Sequence, residues 1–390
     1  MIAVIADDLT GAAEIAGLGW RHGLTAEILQ RDQMPSDVEL AVFDSDSRNC
    51  PAKEAARRVS RIATRIRERK PAWIYKKVDS VLRGNVLVEI QAMQAVMGFE
   101  RCLLVPANPT AQRIIRNGKY FVQGKPINQT DFRNDPSHPR HSADIKELLG
   151  ASGDYSVTLR QLKASDLPYG VIVGETTTAT DVRHWGQRVN TQTLPAGGAD
   201  LFAALLQSHG LRSQESRSMV TKTVAGRTLF VSGSMAQSSV SFLHECNTRK
   251  WPVLLMPDEL FAGRGSARTH QATWSLRIVD ALKRHPKVVT GIGKPQRPGR
   301  REGLRLGTTL TATIRRVLAK MRVDRVCVEG GATAALLLEQ LGWTRLVVDC
   351  EFATGVTGVR PQSQKDVLLV LKPGSYAWPD CLCSEATTGR

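Results

Sequence analysis

Short apolar runs recur along this chain, each too short for a helix, each closing on a polar turn, and most followed by a helical pattern. The first covers residues 2–6, ends on Asp7 and Asp8, and passes through Leu9, Thr10 and Gly11 into helical spacing over residues 12–20. An apolar run without alternation suits a strand buried on both faces, as in a parallel sheet covered by helices. The same pattern predicts strands over residues 39–43, 73–78, 102–105 and 170–173, and a helix from 200 to 206 opened by Gly197 and Gly198. Residues 110–139 are long, polar and irregular, which predicts a binding loop.

Residues 207–226 are polar and weakly patterned, after which the rhythm restarts with strands expected over 228–231, 253–256, 288–290, 325–328, 345–348 and 367–371. The boundary is therefore placed near 222, giving domains 1–222 and 223–390. Strand and helix alternate in both halves, so the expected class is α/β. Each domain would be a mostly parallel sheet flanked by helices, with the active site in the cleft between them.

A length of 390 residues with 42% hydrophobic and 23% charged positions suits two folded domains and excludes a disordered chain. No basic leader precedes the opening apolar run, and no window reaches the roughly 20 apolar residues that span a bilayer. A soluble, cytoplasmic protein is expected. The seven cysteines include no C-x-x-C pair, so reduced structural thiols are expected. His138 and His141 flank a Pro-Arg loop and carry no metal spacing. The net charge of +16 favours anionic partners. The basic residues are spread widely and mostly on helix faces, as over residues 55–69, where Val59, Ile62 and Ile66 make an apolar stripe and arginines occupy the rest, the pattern of a solvated face.

Chemistry concentrates at the strand ends, where open α/β sheets bind ligands. One of Asp7 and Asp8 can cap the following helix. The other would sit desolvated beside a like charge unless a donor, a cation or a substrate hydroxyl meets it. The strand over 39–43 runs into Asp44, Ser45, Asp46, Ser47 and Arg48, which reads as a ligand-facing loop at a second strand end; its D-x-D pattern also suggests a phosphoaspartate phosphatase, without the Gly-Thr usual after it. The strand over 73–78 runs into Lys76, Lys77, Asp79, Ser80, Arg83, Gly84 and Asn85, a set suited to a polyhydroxylated anion. Arg83 could fork onto a carboxylate, with Asp79 and Asn85 on hydroxyls.

In the second half, Ser232–Gly233–Ser234 and Gly330–Gly331–Ala332–Thr333 each join a strand to a helix N-terminus, and Lys372–Pro373–Gly374–Ser375 ends another strand. Free N–H groups and the helix dipole at such turns favour phosphate. Neither a Walker A sequence nor a strand-borne G-x-G-x-x-G occurs, so a bound nucleotide would use another scaffold.

Taken in order, IADDLTGA at 5–12, KKVDSVLRGN at 76–85, PANP at 106–109, GKYFVQGKPI at 118–127, DP at 135–136, SGS at 232–234, GGAT at 330–333 and KPGS at 372–375 resemble the four-carbon acid sugar kinase family end to end. Ala332, Ala377 and Val81 depart from residues usual in that family. The resemblance implies an N-terminal sugar-acid-binding domain and a C-terminal nucleotide-binding domain. It implies ATP-dependent phosphorylation of threonate, erythronate or 3-oxo-tetronate, with Mg²⁺ bridging the phosphates. It sets Asp7, Asp8, Lys77, Asp79, Ser80, Arg83 and Asn85 around the acid, with Asp8 or Asp7 as base and Lys77 and Arg83 on the carboxylate or on phosphate charge. It sets Ser234, Gly330, Gly331, Ala332, Thr333 and Gly374 around ATP. The expected partners are these small molecules, with no membrane and no nucleic acid; a homo-oligomer stays open. The alternatives are a nucleic-acid-binding protein recruited by its positive charge, and the phosphatase.

Overall fold

The computed structural model describes residues 1–30, 33–135, 137–151, 156–164, 166–214, 217, 226–233, 237–264, 266–294, 300–374 and 376–384. The chain divides into two compact units, Met1–Arg217 and Ser218–Arg390. The expected boundary at 222 lies outside the described residues.

The first unit begins β1 (Ile2–Ala6), α1 (Leu9–Arg21), β2 (Ala26–Gln30), β3 (Leu40–Asp44), α2 (Ala52–Glu68), β4 (Trp73–Lys77), α3 (Val86–Met97) and β5 (Arg101–Val105). The small strands β6 (Arg113–Arg116), β7 (Lys119–Val122) and β8 (Lys125–Pro126) follow, then α4 (Ile145–Leu148), β9 (Val157–Arg160), β10 (Gly170–Gly174), α5 (Ala179–Gln187), β11 (Thr193–Gly197) and α6 (Ala199–Ser208). Its main sheet is all parallel, in the order β2-β3-β1-β4-β11-β5-β10-β9. Every residue of β1 and β3 is buried, as continuous apolar strands require when helices cover both faces.

One core gathers Ile5, Phe43, Ile74 and Leu104 from the sheet with Val59, Ile62 and Ile66 of α2 and Ile90 and Met93 of α3. The arginines of α2 consequently face outward around that stripe. Helices α1 and α6 pack on each other. Because the strands run in parallel, the carboxyl ends of β3, β1, β4, β11 and β5 share one edge of the sheet, and the polar turns emerge there.

Within the expected binding loop over 110–139, residues 113–126 fold into an antiparallel ribbon, β6-β7-β8, a regularity the sequence reading does not include. Asn117 and Gly118 join β6 to β7 with φ of 51° and 70°, the two positive angles of a type I′ hairpin. Strands β2 and β11 were also unforeseen.

The second unit contains β12 (Thr228–Ser232), α7 (Gln237–Thr248), β13 (Val253–Leu255), α8 (Asp258–Ala262), α9 (Ala267–Arg284), β14 (Lys287–Gly291), α10 (Arg300–Leu318) and β15 (Arg325–Glu329). It ends with α11 (Gly331–Leu341), β16 (Arg345–Ala353), β17 (Val356–Pro361), β18 (Leu368–Lys372) and α12 (Asp380–Cys383). Its strand order is β13-β14-β12-β15-β18-β17-β16, parallel through β18 and antiparallel beyond. The mostly parallel α/β expectation holds in both units.

All seven cysteines are free thiols, and all but Cys50 are buried. Burial pushes the thiols of Cys246, Cys350 and Cys383 up to about 12. Among the described residues no helix is long and apolar enough to cross a membrane.

Candidate functional site

At the first unit's strand ends, Asp8 closes β1 and caps α1: its Oδ1 accepts from the Gly11 amide at 2.7 Å and its Oδ2 from the Thr10 hydroxyl at 2.7 Å. Asp7 points elsewhere. Arg48, beyond β3, donates Nε to Asp7 Oδ2 at 2.8 Å and a terminal nitrogen to Oδ1 at 3.0 Å, and reaches Asp8 Oδ2 at 2.5 Å. A fork over two neighbouring carboxylates settles the like-charge problem posed by the Asp pair. Burial opposes the charge on Asp7, but Arg48 and then Lys76 outweigh it and hold its carboxyl below the usual range. The Asp8 side chain is 20% exposed against 5% for Asp7, so Asp8 is the carboxylate a ligand can reach.

The turn after β4 continues the alternation of charge. Arg48 stands 3.6 Å from Asp79. Arg83 donates Nε and a terminal nitrogen to Asp79 at 3.0 and 2.8 Å, and its other terminal nitrogen to Asp135 at 2.9 Å. Asp79 is buried, yet Arg83 and Arg48 hold it well below the carboxylate range. Gly84, at φ +86°, lets this turn lie on Arg48: a Cβ there would sit 3.0 Å from the Arg48 carbonyl oxygen. Asn85 donates to the carbonyls of Ser47 at 3.1 Å and Cys50 at 2.9 Å, tying two strand-end turns together.

Lys77 pairs with Glu14 at 3.2 Å, and Lys76 with Glu89 at 2.8 Å in full burial. Ser80 accepts from the Arg113 guanidinium through its hydroxyl and from the Tyr120 hydroxyl through its carbonyl. The structure thus gathers Asp7, Asp8, Lys77, Asp79, Ser80, Arg83 and Asn85 on one edge. It adds Arg48, from the polar turn after β3, and Arg113 and Asp135, from the stretch expected as a binding loop, none of which had been given a role of its own.

Asp44, closing β3, is a separate case. Its Oδ1 accepts from the Asp46 amide at 2.9 Å and its Oδ2 from Gln30 at 3.1 Å. Burial, with Asp46 and Asp8 nearby, pushes its carboxyl up to about 7. Both of its oxygens are thus engaged within the fold, which counts against a free phosphatase nucleophile.

In the second unit Ser232, Glu329 and Lys372 stand in one row across the neighbouring strands β12, β15 and β18. Glu329 accepts from Ser232 at 3.0 Å, Ser239 at 2.7 Å and Lys372 at 2.8 Å. Three turns leave this row. Gly330 is the N-cap of α11, and no side chain caps that helix. The N–H groups of Gly331, Ala332 and Thr333 in the first turn are the donors a phosphate would meet. Gly233 lies against Thr333 so closely that a Cβ would come 1.9 Å from the Thr333 hydroxyl. Gly374 accepts from Ser238 at 2.6 Å through its carbonyl. Gly330, Gly331, Ala332, Thr333 and Gly374 are thus brought to neighbouring strand ends, and Ser234 lies outside the described residues. An uncapped helix start beside a cradle that only glycine can line fits a phosphate chain.

Two family models match the chain in tandem, a sugar-binding N-terminal domain over residues 2–192 and a nucleotide-binding C-terminal domain over residues 229–377. A D-erythronate kinase of Heliobacterium modesticaldum is 37% identical over 162 residues, covering 40% of this chain and 37% of that protein. A 3-oxo-tetronate kinase of Methylobacterium radiotolerans is 23% identical over 97% of both chains. A D-threonate kinase of Bordetella bronchiseptica is 28% identical over 72% of both. A solved structure from Salmonella typhimurium LT2, provisionally described as a tRNA synthase, superposes with a TM-score of 0.78 at 19% identity over 97% of both chains. At that identity the likeness shows the fold alone. The two domain models, in this order and spanning both halves, establish that the chain belongs to the four-carbon acid sugar kinase family.

Proposed function

We propose that this protein is an ATP-dependent kinase that phosphorylates a hydroxyl of a four-carbon sugar acid of the threonate, erythronate or 3-oxo-tetronate type. The carrying observation is the tandem of a sugar-binding and a nucleotide-binding domain. Their strand ends bear, respectively, a buried Asp–Arg network and an uncapped, glycine-lined helix start. Relatives named as kinases, one of them matched over 97% of both chains, favour this reading over a nucleic-acid-binding protein and over a phosphatase.

Phosphoryl transfer asks mainly for positioning and neutralisation of charge, with one group to receive the hydroxyl proton. Asp8 is our base. It is the exposed member of the pair, and the Gly11 amide and Arg48 fix its direction. Asp7, Arg48, Asp79 and Arg83 hold the turns around it, with Ser80 at their edge. In the second unit the amides of Gly331, Ala332 and Thr333 would receive phosphate oxygens, with Gly374 on an adjoining turn; Ser234, expected at the same site from the sequence, lies outside the described residues. Magnesium would arrive on the phosphates, as it commonly does. Among the described residues no three His, Cys, Asp or Glu side chains are gathered for a metal ion, so we assign it no protein ligand.

The test is ADP release from purified protein given ATP, Mg²⁺ and a panel of tetronates. Turnover confined to one or a few four-carbon acids supports the reading. Absence of turnover with every acid refutes it.

A further inference from the structure

We propose that Arg113, on the ribbon strand β6, is the residue that receives the substrate's carboxylate and makes the site select an acid over a neutral polyol. This rests on the sugar-acid reading above and names the group that enforces it.

A monoanionic acid needs a cation whose donors are not already taken. Arg48 is committed to Asp7 and Asp8, and Arg83 to Asp79 and Asp135. Lys76 and Lys77 are committed to Glu89 and Glu14. Arg140 and Arg113, both bonded to the turn after β4, have no carboxylate partner among the described residues. Arg140 aims its donors at the main-chain carbonyls of His138 at 2.9 Å, Leu82 at 3.0 Å and Leu148 at 3.4 Å, which makes it a brace for the loop. Arg113 donates one N–H to the Ser80 hydroxyl and makes no ion pair among the described residues. A guanidinium carries five N–H donors in a planar fork. After the Ser80 bond, the rest of Arg113's fork remains for a carboxylate.

The side chain is also held still. Its guanidinium carbon lies 5.7 Å from the centre of the Phe132 ring, which Arg83 flanks at 5.9 Å. Its backbone amide donates to the Asn108 carbonyl at 3.0 Å. A cation stacked on an aromatic ring and pinned by one hydroxyl has little freedom left to lose on binding. Ser80, next to Asp79 at the end of β4, places that fork beside the strand-end edge.

The test uses full-length protein, the preferred tetronate from the panel, and the matching four-carbon amide, which keeps the hydroxyls and lacks the charge. Wild type is expected to bind the acid at least about 30-fold more tightly than the amide, the range of a charge-assisted pair. Arg113→Gln is expected to raise the acid's KM about 10- to 100-fold, leave the KM for ATP within about twofold, and abolish the preference for acid over amide. Arg113→Lys should recover part of the affinity. Arg116→Gln, on the same strand, serves as the folding control and should change none of these. A wild type indifferent between acid and amide overturns the proposal, and does so without any variant. So does Arg113→Gln with the acid preference intact. Failure of wild type to bind or phosphorylate any tetronate would remove the kinase reading, and this assignment with it.

Discussion

Lys372 Nζ lies 2.8 Å from Glu329 Oε1, and both side chains are only 1% exposed. Strand register puts them side by side, and each stands at the root of a turn that the phosphate reading uses. Burial drags the Lys372 ammonium below its ordinary range, while Glu329 pulls it back. Glu329→Gln removes the counter-charge and leaves a buried cation, a loss of about 3–5 kcal/mol in comparable cases. We expect a lower urea midpoint together with weaker nucleotide affinity by titration calorimetry. Glu329→Leu combined with Lys372→Met should recover much of the stability while nucleotide affinity stays low. An unchanged midpoint in Glu329→Gln would contradict this account.

Asp8→Asn separates the cap from the base. Asparagine caps helices about as well as aspartate, so α1 should persist and the melting temperature should move little. Turnover should fall by roughly 10²–10⁴-fold, the contribution of a positioned base. Steady-state kinetics within tenfold of wild type would remove Asp8 from that role.

Gly233→Ala places a methyl group into the Thr333 hydroxyl. The turns after β12 and β15 must then separate, and we expect nucleotide affinity to fall at least about tenfold, a cost of some 1.4 kcal/mol. Adding Thr333→Ala removes the atom that clashes first and should return part of that loss. Calorimetry showing equal affinity in wild type and Gly233→Ala would show that the close approach has no bearing on binding.

Asp44 gives stability a pH dependence of definite sign. Its carboxyl titrates near 3.8 in the unfolded chain and at about 7 in the fold. The folded state therefore binds the proton more tightly, and this contribution is present at low pH and lost as pH rises through 7. Asp44→Asn does not titrate. Its unfolding free energy relative to wild type should improve from about pH 4 to pH 7 and level off above that. A difference independent of pH would mean that Asp44 is ionised throughout.

Much of this arrangement was legible in the residues alone. Continuous apolar strands such as residues 2–6 and 102–105 declare themselves because burial on both faces leaves no alternation. Polar residues crowded directly after them mark the ligand edge of a parallel sheet. Strand β11, reading TLPAG, was hidden because Pro195 and Gly197 argue against a central strand. The β6–β7 hairpin was overlooked although Asn117–Gly118 between apolar runs is a strong hairpin signal. Arg48 and Arg113 fall inside the expected turn and loop, but their individual roles were not legible. Their roles depend on which carboxylates other strands deliver to them, and linear spacing does not contain that pairing.

The sealed thiols supply a clock. Cys50 and Cys102 belong to the first unit, and Cys246, Cys327, Cys350, Cys381 and Cys383 to the second. An alkylating reagent added to the native chain meets Cys50 at once, and each other sulfur only when its surroundings open. Counting mass additions per peptide over time would thus time-stamp the opening of each half separately, with no residue introduced as a probe.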